Sequence, residues 1–207
     1  MLNLYIMRHG ETILNRFHRI QGWADSRLTN KGEQQSIDGG LTVSNILFNA
    51  VYTSDTQRAK KTAEKALSVN KKSICSLEPG MFEIREFNFG QIEGLEAKPV
   101  WEAVYKNIGN YDNNLEDLLN AFCVIDESET AENYAQFGER IDSGLNKIID
   151  IHQPKTDEEV NILIVTHALT INYMMQSLFP ENTEFMIGEN GSIRKVVINE
   201  GHFSLVP

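Results

Sequence analysis

Cysteine is scarce in this chain. Its two thiols, Cys75 and Cys123, lie far apart, which leaves no disulfide framework and no paired metal-ligand spacing. Reduced thiols in the cytoplasm are the expectation. Also missing is any apolar run near the roughly 20 residues that span a bilayer. The N-terminus enters an apolar segment without the basic stretch and small-residue cleavage site of a secretory signal. Basic residues are outnumbered, 19 Lys and Arg against 29 Asp and Glu, for a net charge of −10. That balance argues against nucleic acid and against an anionic membrane as partners. An anionic ligand must be drawn in by a local cationic pocket against the overall field. No repeat, low-complexity tract or flexible linker divides the chain. Its 207 residues, 41% hydrophobic, suit a single domain over 1–207 with a cap-like insertion at about 95–128.

Strand and helix signals alternate along the chain. Leu2–Met7, Ala50–Thr53, Ser73–Leu77, Asn161–Thr166, Ser192–Ile198 and His202–Val206 read as strands, the last two as an edge hairpin. Helices are expected over Asn30–Ser44, opened by Asn30 and Glu33 at capping-box spacing, and from a Ser54–Gln57 box to Leu67. Further helices are expected over Pro99–Asn107, Leu115–Phe122, Glu129–His152 and Leu169–Leu178. The alternation predicts an α/β three-layer sandwich with a mostly parallel central sheet and helices on both faces. Met174 and Met175 read as core, His152 and His202 as surface. Trp101, Tyr105 and Tyr111 either line a pocket under the insertion or anchor it.

Three strand ends carry chemistry. The first strand stops at Arg8-His9-Gly10-Glu11, and ligands bind beyond the carboxyl ends of strands in open α/β sheets. Arginine suits a pair of phosphate oxygens, and histidine is a nucleophile near neutral pH. The run Ile162–Thr166 ends in His167 at a helix start, where free amides and the helix dipole favour an anion. After Ala50–Thr53, Arg58 lies in the first turn of a helix and leans back toward the strand end. Together these predict a phosphoryl group held by Arg8, Arg58 and His167 and attacked by His9. Cationic neighbours keep His9 neutral. A carboxylic acid must protonate the leaving oxygen, and Glu83, Glu86, Glu93 and Glu11 are the candidates. No cofactor or metal is called for, and no metal-ligand cluster is present.

The chain resembles the histidine phosphatase superfamily, which includes the cofactor-dependent phosphoglycerate mutases. Arg8-His9-Gly10-Glu11-Thr12 with Asn15, the stretch Gln21 to Gly32, Ser54–Arg58 with Thr62, Arg85–Gly90 with Glu93-Gly94, and Val165–His167 match in order over nearly the whole length. The resemblance implies that His9 is phosphorylated and that Arg8, Arg58 and His167 bind the phosphoryl group. It further implies that Asn15, Gln21 and Gly22 contribute from the loop, and that Glu86, rather than Glu83, is the proton donor. Ala168 departs from the family's usual Gly. The insertion Glu96–Glu127 carries seven acids against Lys98 and Lys106, a poor match to a bisphosphate. A phosphatase acting on a small phosphorylated metabolite is therefore the expectation. The alternatives are mutase-type phosphoryl transfer and a non-catalytic binder of phosphorylated ligands. Arg16, His18 and Arg19 either add charge at the rim or form a solvated loop.

Overall fold

The computed structural model describes residues 1–72, 77–108, 114–154, 158–181 and 188–206. Its centre is a mixed five-stranded sheet in the order β2-β3-β1-β4-β5. The strands are β1 (Leu2–Arg8), β2 (Ala50–Thr53), β3 (Val160–Thr166), β4 (Ile193–Asn199) and β5 (His202–Val206). β1 and β2 both run parallel to β3, and β4 and β5 form an antiparallel hairpin at the sheet edge. Parallel central strands need cover on both faces, and the side chains alternate accordingly. Leu4, Ile6, Ile162 and Ile164 enter one core; Tyr5, Met7, Leu163 and Val165 enter the other. The second core is closed by α2 (Asn30–Thr42) and α3 (Gln57–Leu67). The first is closed by α4 (Ala97–Ile108), α5 (Leu115–Ile125), α6 (Tyr134–His152) and α7 (Ala168–Leu178). A single turn, α1 (Ile13–Arg16), precedes them.

The pairing places the chemistry. Arg8 lies opposite Thr166, and Thr53 opposite Val165, so three strands end on one edge of the sheet. Gly10 packs where a side chain cannot: an added Cβ would sit 2.1 Å from the Gly32 carbonyl oxygen of α2. This contact seats the loop after β1 on the helix.

Several helix starts differ from expectation. α2 is capped by Thr29, whose hydroxyl accepts from Gly32 N; Asn30 is already helical. α3 follows Thr56 with no side-chain cap of its own. Asp25 supplies one from a distant loop, Oδ2 accepting from Gln57 N at 2.6 Å. α6 starts at Tyr134, not Glu129, behind a capping box of Asn133 and Gln136. His152 is half-buried with Nε2 2.8 Å from the Tyr52 hydroxyl. Of the strand expected over Ser73–Leu77, only Leu77 lies within the described residues, bridged to Val51. Tyr111 and Cys75 also lie outside them. Met174 and Met175 are buried, and Trp101 stacks on Tyr105 and packs edge-on against Phe122.

The late start of α6 has a local cause in Asp126, a buried carboxylate that gathers the preceding loop. Oδ1 accepts from Gln91 N, Ser128 N and the Ser128 hydroxyl; Oδ2 accepts from Thr130 N and Ala131 N. Burial alone would raise this carboxyl. The Ser128 hydroxyl and the Gln91, Ala131 and Thr130 amides overcome it and hold Asp126 well below the usual carboxylate range. A depressed folded-state pKa stabilises above the unfolded value and is lost as pH falls. Asp126→Asn should therefore destabilise by about 2 kcal/mol at neutral pH. In denaturant titrations the gap from wild type should narrow as pH drops below about 4. A gap independent of pH would contradict the role given to the charge.

Candidate active site

His9 follows β1 and is fastened to β3, its amide donating to the Thr166 carbonyl at 3.0 Å. The residue is 4% exposed. Its Nδ1 lies 2.8 Å from the Gly10 carbonyl. Only a protonated nitrogen donates to a carbonyl, so Nε2 carries the lone pair. Gly10 is itself fixed by Thr62, whose Oγ1 accepts from Gly10 N at 3.0 Å and donates to the Arg58 carbonyl at 2.8 Å. His167 caps α7, and its ring lies edge-on to His9 with centroids 5.1 Å apart.

Arg58 is fully buried in the second turn-forming position of α3. Nε donates to His167 Nδ1 at 3.2 Å, Nη1 to the Ala24 carbonyl and Asp25 Oδ1, and Nη2 to the Gly22 carbonyl at 2.6 Å. Because His167 Nδ1 accepts, its proton sits on Nε2, a buried atom with no partner. Arg8 Nη1 donates to the Gly188 carbonyl at 2.6 Å, while its buried Nε is also unpartnered. Buried donors without partners are rare and call for an acceptor. Two of them, beside the lone pair of His9, describe a place for an oxyanion.

Glu86 closes the cluster. Its Oε2 accepts from Leu169 N at 3.1 Å; Oε1 accepts from Thr170 N at 3.2 Å and Phe87 N at 3.1 Å. The carboxyl group thus occupies the first turn of α7, directly beyond His167. The other candidate acids are engaged elsewhere. Glu83 packs on Gly144 of α6. Glu11 accepts from the Thr29 hydroxyl and pairs with Lys31. Glu93 accepts from the amides of Gly22, Trp23, Ala24 and Phe89.

The loop residues serve one another. Gly22 donates to Glu93 and accepts from Arg58, so both its polar backbone groups are engaged. Gln21 accepts from the Thr12 hydroxyl and donates to Ser26 Oγ. Asn15 Oδ1 accepts from Thr12 N within the α1 capping box. Arg16, His18 and Arg19 are exposed, with Arg19 donating to the Gly94 carbonyl. Ala168 is the first helical residue of α7, where a Cβ is tolerated.

Burial, then Arg58 and Arg8, drives the His9 pKa well below its ordinary value. Burial and Arg58 do the same for His167. Burial raises Glu86 despite the Leu169 and Phe87 amides and the two arginines. The shifts favour a neutral His9 imidazole and disfavour the Glu86 carboxylate anion. Among the described residues no group of three His, Cys, Asp or Glu side chains is arranged to hold a metal. No described helix is long and apolar enough to cross a membrane.

Two features escaped the sequence reading. One is Asp25, which ties Arg58 to the start of α3. The other is the Arg140–Glu132 pair behind Glu86. Arg140 stands three residues after Phe137, inside the apolar stripe of α6, and a charge in that stripe was the available signal.

Comparison with known proteins agrees with this geometry. A solved phosphoglycerate mutase from Bacillus anthracis str. Sterne is 33% identical, with 99% of this chain and 91% of that one covered at a TM-score of 0.90. A curated relative, the probable phosphoglycerate mutase GpmB of Erwinia tasmaniensis, is 28% identical over 191 residues, 89% of this chain and 79% of its own. The phosphoserine phosphatase of Entamoeba histolytica, solved in complex with 3-phosphoglyceric acid, is 25% identical with a TM-score of 0.72, covering 100% of this chain and 96% of that one. The family model of the histidine phosphatase superfamily (branch 1) matches residues 4–207. With one match across almost the whole chain and the strand-end cluster in place, this protein belongs to the histidine phosphatase superfamily.

Proposed function

We propose that this protein is a cytoplasmic phosphatase that hydrolyses small phosphomonoesters through a phosphohistidine at His9. His9 Nε2 attacks phosphorus, and the ester P–O bond breaks as Glu86 gives its proton to the departing oxygen. Arg8, Arg58 and the Nε2–H of His167 receive the phosphoryl oxygens as charge spreads over them. Water then attacks the phosphohistidine. The Glu86 carboxylate takes its proton, the P–N bond breaks, and the electron pair returns to Nε2. Asn15, Gln21 and Gly22 shape the loop wall of the pocket.

One observation carries hydrolysis over transfer. Three cations near the cluster are committed elsewhere: Arg19 to the Gly94 carbonyl, Arg85 to Asp55 and Arg140 to Glu132. The unpartnered buried donors, Arg8 Nε and His167 Nε2, suit one phosphoryl group, and the insertion at about 95–128 is acidic in sequence. A small substrate is supported by the 3-phosphoglyceric acid bound to the Entamoeba relative. Mutase-type transfer is the second reading, favoured by the names of the Bacillus and Erwinia relatives.

Purified protein should release phosphate from p-nitrophenyl phosphate, and His9→Ala should lower turnover by about three orders of magnitude or more. With 3-phosphoglycerate, phosphate release should outpace isomerisation whether or not 2,3-bisphosphoglycerate is added. Faster isomerisation would install the mutase reading.

The pH profile follows from the two shifts. His9 must be neutral, and its pKa is lowered, so the acid limb of kcat/KM, corrected for ester ionisation, should lie below about 6.5. Glu86 must be protonated, and its pKa is raised, so the basic limb should lie above about 4.5 and vanish in Glu86→Gln. An acid limb above 6.5 would exclude His9 as the buried nucleophile. Arg8→Met should weaken inorganic phosphate binding by roughly 10- to 100-fold in calorimetry, the worth of one charged hydrogen bond.

A further inference from the structure

Arg140 sits on the face of α6 that the helix buries, and its side chain is 9% exposed. A charge there is costly unless every donor is matched. Nε and Nη2 grip the two oxygens of Glu132 at 2.7 and 2.8 Å. The remaining protons converge on one short stretch. Nη1 reaches the carbonyls of Glu83 at 2.9 Å, Arg85 at 3.1 Å and Phe82 at 3.3 Å; Nη2 reaches that of Glu86 at 3.2 Å. The guanidinium is sandwiched against the rings of Phe82 and Phe137, 5.5 and 5.3 Å away. Trp23 Nε1 donates to the same Glu86 carbonyl at 3.1 Å, and Glu132 accepts from Asn88 N at 2.9 Å. The backbone is thereby pinned on both sides of Glu86, while the Glu86 carboxyl is fixed independently on α7.

We propose that Arg140, paired with Glu132, is a positioning residue that aims Glu86 at the leaving oxygen of the bound ester. The proposal rests on the phosphatase reading with Glu86 as donor. It predicts a selective defect. An alkoxide cannot depart without a proton, whereas a nitrophenolate is a stable anion and needs little help. kcat/KM covers every step through phosphohistidine formation, leaving-group departure included. A loosened Glu86 should therefore penalise alkyl esters and largely spare nitrophenyl esters. A merely structural role would lower both alike.

The test compares kcat/KM on glycerol phosphate and on p-nitrophenyl phosphate for the full-length protein and three variants, with thermal unfolding confirming that each is folded. Arg140→Met should lose at least about tenfold more on the alkyl ester, part of the 10²–10⁴ that a general acid supplies. Arg140→Lys should show the same bias, because an ammonium cannot span Glu132 and a row of carbonyls. Trp23→Phe leaves the ion pair intact and should move the ratio about two- to fivefold in the same direction. Equal losses on both esters, or a wild-type ratio in Arg140→Lys, would overturn the positioning role. If neither Arg140 variant folds, an unmoved ratio in Trp23→Phe overturns it. Wild-type protein inactive on both esters would instead remove the phosphatase reading, and this role with it.

Discussion

The site depends on the burial of Arg58. A guanidinium without solvent must have its donors matched in a fixed geometry, and four of its five N–H bonds go to the protein. Those bonds draw two separate segments, the 22–25 loop and the start of α7, onto α3. The loop at Gly22 and Ala24 supplies carbonyls, Asp25 the partial counter-charge, and His167 a ring nitrogen. Each is then held by something else: the loop amides by Glu93, Asp25 by the start of α3, and His167 by α7. The tautomer of His167 follows from this arrangement. An imidazole that accepts from Arg58 has to present its other nitrogen as a donor.

Glu86 shows how a carboxyl can be both held and kept acidic. Amides at a helix start ordinarily favour the anion, and two arginines add to that, yet full burial outweighs them. A bound phosphate dianion would push the same carboxyl further toward its protonated form. The same reasoning separates Glu86 from Glu93. Both accept several amides, but Glu93 supports the loop that faces Arg58, whereas Glu86 lies one helical turn from His167.

The strand ends were legible because a buried strand is an uninterrupted apolar run, and polar chemistry can begin only where it stops. β1, β2 and β3 appear within a residue of their expected bounds. The position of Arg58 in the first turn of α3 was also readable, although the Ser54 cap was not the one used. The cap comes from Asp25, distant in sequence, and local pattern cannot register a partner brought by tertiary packing. The start of α6 failed for a related reason: Asp126 collects the amides that a helix from Glu129 would have used, and Glu129 itself takes a left-handed conformation at φ 55°. Glu86 could be ranked above Glu83 only through resemblance. Glu83 lies in a 3-10 turn (Phe82–Ile84) packed on Gly144 of α6, whereas Glu86, two residues beyond it, reaches the α7 amides, and spacing does not encode that.

Net charge bears on turnover as well as binding. The chain carries −10 overall, while the strand-end cluster sets a fully buried Arg58 beside a half-buried Arg8. Short-range donors dominate inside a buried site, where the effective dielectric is low, and the summed acidic surface acts beyond it, screened over about 8 Å at physiological salt. On the proposed mechanism, such a field does little to a phosphoryl group seated on its donors but opposes retention of an anion once its bond to His9 breaks. A mutase must hold its bisphosphorylated intermediate through a reorientation, and an acidic surround works against that. A hydrolase must release two products, one of them inorganic phosphate, and the same surround assists it. Under the proposed hydrolysis, the charge that makes capture harder would favour completing the cycle by release, the sense in which an acidic insertion and a small cationic cluster are compatible.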